Sequence, residues 1–210
     1  MKRVYLVRHG QTTYNVEHRV QDGSSLLTEL GHKQAQQVAD RLTAITFDHL
    51  VVSDYERTKQ TAEPTVLATG KIPQLTHLFR EVRRPSEFFH TLRETDEYQK
   101  FQSDEYENFG QNPERHHSDE ENFVDVNKRA KESLEYLLTL EGDIAVISHG
   151  HFIRYIVALV ATQLELDGPT WQKMCSSFIA LNTGITTLEY DDKSKLWRIL
   201  TFNDIAHFAE

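Results

Sequence analysis

The sequence predicts an α/β domain, a three-layer α/β/α sandwich whose central sheet is mostly parallel. Short apolar runs typical of buried strands alternate along the chain with longer segments of helical periodicity. The 210 residues contain no internal repeat and no linker that would divide them. This length suits one domain with a sizeable buried core. We therefore expect a single domain over residues 1–210.

The first half of the chain supplies three predicted strands and two predicted helices. Thr28 can cap a helix running to about Leu42, because apolar residues recur there at i, i+3, i+4 and i+7. A second helix is expected from about Glu56 to Gly70. The apolar runs that we interpret as strands are Lys2–Val7, Leu50–Ser53 and Leu75–Phe79.

The second half continues the alternation and closes with a hairpin. Ser86 is expected to cap a helix, and residues 125–140 form a clear amphipathic helix. The run 143–147 is the clearest buried strand, and an apolar helix follows it. Residues 185–190 and 197–202 are expected to pair as a terminal hairpin.

Negative charge is concentrated in one segment. The chain has 23 Lys and Arg against 32 Asp and Glu, and the segment Glu94–Asp125 holds 11 of those acids and only two bases. Aromatic residues in the segment can still pack. We therefore predict an ordered acidic insertion at about residues 86–124, with a flexible middle at 110–118. It is a solvated surface, a mobile lid or a docking surface for a basic partner.

Composition argues against several classes of protein. The single cysteine, Cys175, cannot form an internal disulfide or a Cys-rich zinc site. No apolar run approaches the roughly 20 residues that cross a bilayer, and no targeting signal is apparent, so we expect a cytoplasmic protein with no membrane partner. A formal net charge of −9 argues against nucleic acid as a partner.

Arginine and histidine appear three times where a predicted strand ends and a helix follows. The clusters are Arg8-His9-Gly10, Ser53-Asp54 leading to Arg57, and Ser148-His149-Gly150. Since ligands bind beyond the carboxyl ends of parallel strands, the three clusters should converge at one edge of the sheet. Arginine forks and helix N-termini suit phosphate oxygens, and a neutral histidine can act as a nucleophile near pH 7.

This pattern resembles the histidine phosphatase superfamily, also called phosphoglycerate-mutase-like. The resemblance covers nearly the whole chain, and only residues 83–124 lack clear family landmarks. The stretches that carry it are Val4–Asn15, Leu27–Gly31, Ser53–Ala62, Val146–Gly150 and Asn203–His207. It implies the same three-layer fold.

The resemblance also implies roles for individual residues. His9 would be the nucleophile that forms a phosphohistidine intermediate. Arg8, Arg57 and His149 would hold the phosphoryl oxygens and stabilise the charge that develops during transfer. Glu81 matches the position of the general acid that protonates the leaving alcohol and later activates water, with Glu87 as the reserve candidate.

Five further residues are expected to bind substrate. Asn15 matches a phosphate-contacting position, and Gln21 and Gly150 are expected to line the pocket. Arg83 and Arg84 are either solvated or substrate-binding. The implied mechanism needs no metal and no cofactor, because arginines replace the cation.

Three functions remain open from the sequence. The first, which we favour, is a phosphatase. Its expected partner is a small-molecule phosphate ester, its substrate. The second is a phosphoglycerate mutase, although residues 81–87 depart from the Glu-Arg-x-Tyr-Gly stretch of mutases. The third is a phosphate-binding scaffold or regulatory protein with little activity. A homodimer is left open.

The insertion is expected to act on specificity. It follows the candidate acid and precedes the strand bearing His149, so it can fold over the pocket as a lid. Its negative charge would disfavour large polyanionic substrates.

Overall fold

A computed structural model describes residues 1–208 of the chain. Its six-stranded sheet has the order β3-β2-β4-β1-β5-β6. The four strands from β3 to β1 are mutually parallel, whereas β5 and β6 run antiparallel to their neighbours. The strands are β1 Lys2–Arg8, β2 His49–Ser53, β3 Pro73–Thr76, β4 Ile144–Ser148, β5 Ile185–Asp191 and β6 Leu196–Asp204.

Helices cover both faces of this sheet, as the alternation of strands and helices predicts. On one face, α2 and α3 pack against side chains such as Val7, Val52 and Ile147. On the other face, α5 and α6 pack against side chains such as Leu6 and Val146. The three-layer prediction is thus confirmed. The helices are α1 Thr13–Val16, α2 Glu29–Thr43, α3 Glu56–Thr69, α4 Asp96–Gln111, α5 Phe123–Thr139, α6 Gly150–Ala161 and α7 Gly168–Met174.

The third strand lies earlier than predicted. We expected it over Leu75–Phe79, but β3 ends at Thr76 and a 3-10 turn follows at His77–Phe79. The Thr76 side chain accepts a hydrogen bond from the backbone N–H of Leu78 and starts that turn. Phe79 is fully buried from the turn, so an apolar residue that suggested a strand reaches the core without one.

The predicted helix at Ser86 is also wrong. Only a 3-10 turn, Ser86–Phe88, forms there, and Pro85 rather than Ser86 precedes it without a side-chain cap. The helix of the insertion is α4, and it begins at Asp96. Phe88 instead packs on Tyr98 of α4 with ring centroids 5.4 Å apart. The insertion is therefore a helix pinned by a small aromatic cluster.

The expected flexible middle of the insertion, residues 110–118, comprises the end of α4 and the turns that follow it. Those turns are hydrogen-bonded: the backbone N–H groups of His117 and Ser118 both donate to the Glu120 carboxylate. The flexibility itself stays a prediction.

Glycine permits the close approach that shapes the loop after β1. A Cβ built on Gly10 would lie 2.6 Å from the carbonyl oxygen of Gly31, and one on Gly31 would lie 2.1 Å from that of Gln11. Real Cβ atoms do not approach oxygen so closely. The loop that carries His9 therefore rests directly on the first turn of α2.

Candidate active site

A cavity of about 520 Å³ opens at the carboxyl ends of the parallel strands. The predicted clusters at the ends of β1, β2 and β4 meet there, as expected for a parallel sheet. Its lining includes Arg8, His9, Asn15, Gln21, Arg57, Glu81, Arg84 and Gly150. Eight of the ten residues that the sequence assigns to the site therefore lie around one cavity.

His9 is held as a neutral side chain with one defined tautomer. It is 3% exposed, and its Nδ1 lies 2.7 Å from the carbonyl oxygen of Gly10. Because a carbonyl only accepts, the proton is on Nδ1 and the lone pair is on Nε2. Burial, followed by the Arg57 and Arg8 guanidinium groups, lowers the pKa of His9 well below 6.5. His9 is thus an unprotonated nitrogen base at neutral pH.

Arg8 and Arg57 are buried cations without carboxylate partners. Arg8 donates to the carbonyl oxygen of Ala180 at 2.6 Å, and Arg57 donates to that of Asp22 at 2.6 Å. The Nε atoms of both arginines are buried with no hydrogen-bond partner among the described residues. Burial lowers the pKa of each to about 10. Two strong donors are therefore left unpaired next to His9.

His149 lies beside His9 and is not among the residues that line the cavity. The two rings are 5.2 Å apart between centroids. Its Nε2 is 2.9 Å from the Ser53 hydroxyl, and its buried Nδ1 has no partner among the described residues. Burial and then the Arg57 charge lower the pKa of His149 well below 6.5. This histidine, too, is neutral at pH 7.

The Glu81 carboxylate sits at the N-terminus of α6. Its Oε1 accepts hydrogen bonds from the backbone N–H groups of Val82 and Phe152, both at 2.9 Å, and its Oε2 accepts one from His151 at 3.2 Å. Free N–H groups at a helix start attract anions. The first turn of α6 therefore fixes the orientation of the Glu81 carboxylate at the cavity wall.

The predicted pocket residues Asn15, Gln21 and Gly150 each have a local structural reason for their position. Asn15 Oδ1 accepts from the backbone N–H of Thr12, which leaves its amide nitrogen for other contacts. Gln21 Oε1 accepts from the Thr12 hydroxyl at 3.1 Å. A Cβ on Gly150 would lie 3.1 Å from Arg8 Nε, so a side chain there would crowd the arginine.

Two predicted residues lie outside the cavity. Glu87, the reserve acid, forms an exposed pair with His117, with Oε1 and Nε2 2.8 Å apart. Arg83 is exposed, and its backbone N–H donates to the Glu121 carboxylate. Neither is among the lining residues, so Glu87 does not fit the role of reserve acid, and the position of Arg83 fits the solvated alternative.

Arg84 lines the cavity but is paired. Its guanidinium contacts the Glu105 carboxylate of α4, and both side chains are 15% exposed. It also donates to His151 Nδ1 at 3.0 Å. Burial lowers the pKa of Arg84, but the Glu105 carboxylate more than reverses this and raises the pKa above its ordinary value. Arg84 therefore couples the insertion to α6.

Sequence reasoning missed several lining residues at the far end of the cavity. They are Arg93, Tyr98, Gln102, Glu105, Tyr106, His151, Arg154 and Ser176. Arg154 carried a signal, because it is the only charged residue between Phe152 and Ala161. A lone arginine in an apolar helix usually has a polar place to reach.

Neither a membrane span nor a cluster of three or more His, Cys, Asp or Glu side chains suited to a metal occurs within residues 1–208. The homodimer left open by the sequence is not addressed by a single chain and stays a prediction.

The sequence was compared with protein families and with curated relatives. The profile of the histidine phosphatase superfamily, branch 1, matches residues 4–205. Probable phosphoglycerate mutase GpmB from Erwinia tasmaniensis is 29% identical over 220 aligned residues, covering 100% of this chain and 96% of the relative. The protein of the same name from Cronobacter sakazakii is 51% identical over 71 residues, which are 33% of this chain and 32% of that protein.

Solved structures share the fold of this chain. YhfR from Bacillus stearothermophilus superposes with a TM-score of 0.81 at 25% identity, covering 99% of both chains. A phosphoserine phosphatase from Entamoeba histolytica in complex with 3-phosphoglyceric acid gives 0.79 at 24% identity, again covering 99% of both chains, and this likeness bears on the fold alone.

The fold and the cavity support an enzyme of the phosphoryl-transfer class. With the profile matching almost end to end, the chain belongs to the histidine phosphatase superfamily, branch 1.

Proposed function

We propose that the protein is a phosphatase that hydrolyses a small phosphomonoester through a phosphohistidine on His9. One observation carries the proposal: the Nδ1–H of His9 is bonded to Gly10, so Nε2 has a lone pair beside two arginines without carboxylate partners. A neutral nitrogen nucleophile surrounded by unpaired cations matches a phosphoryl group both chemically and electrostatically.

In the first step, His9 Nε2 attacks phosphorus and the bond from phosphorus to the ester oxygen breaks. Glu81, protonated at that stage, gives its proton to the leaving oxygen, so an alcohol departs. Arg8 and Arg57 offset the charge that accumulates on the phosphoryl oxygens. The unpartnered Nδ1 of His149 is the third donor that we assign to those oxygens.

In the second step, the Glu81 carboxylate takes a proton from water and the water oxygen attacks phosphorus. The phosphorus–nitrogen bond breaks, inorganic phosphate forms, and His9 returns to its neutral state. The arginines supply the positive charge, so we propose that turnover needs no added metal.

The test is hydrolysis of p-nitrophenyl phosphate in the presence of EDTA, with wild type compared with His9→Ala. We expect turnover in the wild type and a loss of at least about 10³-fold in the variant. Rapid quenching under alkaline conditions should trap the phosphoryl group of the substrate on His9. Glu87→Gln, outside the cavity, is the matched control and should turn over like wild type.

A phosphoglycerate mutase is the second candidate, favoured by the name of the relative from Erwinia tasmaniensis. Against it, residues 81–87 read EVRRPSE and depart from the mutase stretch. Transfer between phosphoglycerates that strictly requires a bisphosphorylated primer would support the mutase. Phosphate binding without turnover of any ester would support a scaffold instead.

A further inference from the structure

The cavity continues beyond the phosphoryl-binding residues into a distal end built by the insertion and α6. Three more arginines line this end: Arg84, Arg93 and Arg154. Of the eleven acids in the segment 94–125, only Glu105 is among the lining residues. From residues 86–124 the lining therefore receives one arginine, Arg93, and one acid, Glu105, and the other acids of the insertion lie outside it. The effect of the insertion's negative charge on polyanionic substrates stays a prediction.

The three arginines differ in their partners. Arg84 is neutralised by the Glu105 carboxylate. Arg93 and Arg154 form no ion pair with any residue in 1–208; main-chain carbonyls hold them instead. Arg93 Nε donates to the carbonyl oxygen of Arg19 at 3.3 Å, and the Arg154 guanidinium donates to the carbonyl oxygen of Cys175 at 2.8 Å. Arg154 is half-buried and Arg93 is exposed. Neither contact neutralises a guanidinium group, so the distal end keeps net positive charge.

The charges of this end act on one another and on the phosphoryl end. Burial, and after it the charges of Arg84 and Arg93, lower the pKa of Arg154, although Glu81 opposes the shift. The charges of Arg154 and Arg93 also contribute to the lowered pKa of Arg8. The distal arginines line the same cavity of about 520 Å³ as Arg8 and His9, so one small molecule can contact both ends.

We propose that Arg93 and Arg154 form a second anion subsite, so that the preferred substrate is a phosphomonoester whose leaving group carries another anionic group. A carboxylate and a second phosphate share the required chemistry, since both accept from a guanidinium fork. The inference rests on the proposed phosphatase function and deepens it by naming the substrate class. Arg93 and Arg154 are specificity-determining residues in this scheme.

The test compares three esters that differ in one group. Phosphoglycolate carries a carboxylate, 2-hydroxyethyl phosphate carries a neutral hydroxyl in its place, and ethylene glycol bisphosphate carries a second phosphate. We expect kcat/KM of the wild type to favour at least one anionic ester over the neutral ester by about tenfold or more. The ratio of kcat/KM between the two anionic esters shows whether the subsite prefers a carboxylate or a phosphate.

Variants then assign the preference to the two arginines. Arg154→Gln and Arg93→Gln should each reduce the ratio of kcat/KM between the anionic and neutral esters by about tenfold. Arg83→Gln removes an arginine of the same neighbourhood that lies outside the cavity, and its ratio should equal that of wild type. A ratio near one in the wild type, or one that neither cavity variant changes, would overturn the proposal.

Binding keeps the inference testable apart from turnover. Titration calorimetry with His9→Ala and the same three esters should give tighter binding of an anionic ester, and Arg154→Gln added to that variant should remove the difference. Equal hydrolysis of all three esters sinks the subsite but leaves the phosphatase. Selective binding with no turnover in the wild type sinks the phosphatase but leaves the subsite.

Discussion

Two kinds of arginine contact the cavity: those without an anionic partner and one that is paired. At the phosphoryl end, burial lowers the pKa values of Arg8 and Arg57 to about 10, and their Nε atoms have no hydrogen-bond partner among residues 1–208. At the insertion, Arg84 is buried against Glu105, which raises its pKa. A buried cation costs free energy unless an anion pairs with it. The contrast indicates which arginine is structural and which depend on a ligand for their anion.

Replacing the acid at the phosphoryl end should give the largest effect. Glu81→Gln keeps one oxygen that can accept from the backbone N–H groups of Val82 and Phe152, loses the weaker hydrogen bond from His151, and cannot protonate a leaving group. We expect kcat on an alkyl phosphate to fall by about 10²–10⁴-fold. The fall on p-nitrophenyl phosphate should be smaller, because nitrophenolate leaves without protonation. An equal fall on both esters would contradict the role of Glu81 as the acid.

Stability should separate the two kinds of arginine. Arg84→Gln leaves the Glu105 carboxylate buried without a cation, and we expect it to lower the free energy of unfolding by about 3 kcal/mol. Arg57→Gln removes a cation that has no anionic partner. We expect it to lower the free energy of unfolding by less than about 1.5 kcal/mol, although the hydrogen bond to the carbonyl oxygen of Asp22 is lost. Urea denaturation without phosphate measures both changes.

A second measurement sharpens this contrast. Inorganic phosphate is expected to bind the folded protein and should therefore raise the urea midpoint of the wild type and of Arg84→Gln. It should not raise the urea midpoint of Arg57→Gln. A larger destabilisation by Arg57→Gln than by Arg84→Gln would show that the distinction between the two ends is wrong.

The histidines in and around the cavity should make stability sensitive to acid. His9, His149 and His151 have pKa values well below 6.5, chiefly because they are buried. Below about pH 6.5 the unfolded chain binds protons that the folded chain does not, so the free energy of unfolding falls. The expected slope is up to about 1.4 kcal/mol per pH unit for each histidine that stays neutral. Raising the pH above 7 should not change this contribution.

The kinetic counterpart of this prediction is the acidic limb of kcat/KM. Because neutral His9 is the nucleophile, the limb due to its protonation should lie well below pH 6.5. Arg57→Gln removes a charge that lowers the His9 pKa, so the limb should move upward in that variant. A limb that stays in place would mean that another group controls it.

The smallest effect is expected at the outer surface of the insertion. His117 and Glu87 pair there with side chains 42% and 54% exposed. His117→Gln should change the free energy of unfolding by less than about 1 kcal/mol and leave kcat/KM unchanged. Thermal unfolding and p-nitrophenyl phosphate hydrolysis check both statements. A strong loss of activity would mean that the insertion affects catalysis through this exposed pair.

The phosphoryl end could be predicted because its residues stand where parallel strands end. Arg8, His9, Arg57 and His149 follow three apolar runs, and the topology of a parallel sheet brings such positions to one edge. Local patterns in the chain therefore determined that half of the site, although they did not indicate that His149 is fully buried and absent from the cavity lining.

The distal end could not be predicted in the same way. Glu105 reaches the cavity because α4 packs through aromatic contacts such as Phe88 with Tyr98. Arg93 reaches it from a segment whose backbone pairs with residues 18 and 19. Such long-range packing has no signature in hydrophobic periodicity. The same physics misled the element assignments. Phe79 is buried and Phe88 is packed from short turns, not from the strand and helix that their apolar character suggested.

The unpaired Nε atoms of Arg8 and Arg57 have a kinetic consequence. Donors arranged for the phosphoryl group of a substrate bind inorganic phosphate by the same contacts once the ester is cleaved. For the proposed hydrolysis, the product then competes with the substrate, and its departure slows each cycle. Such an enzyme works fastest where phosphate is scarce and slows itself as phosphate accumulates.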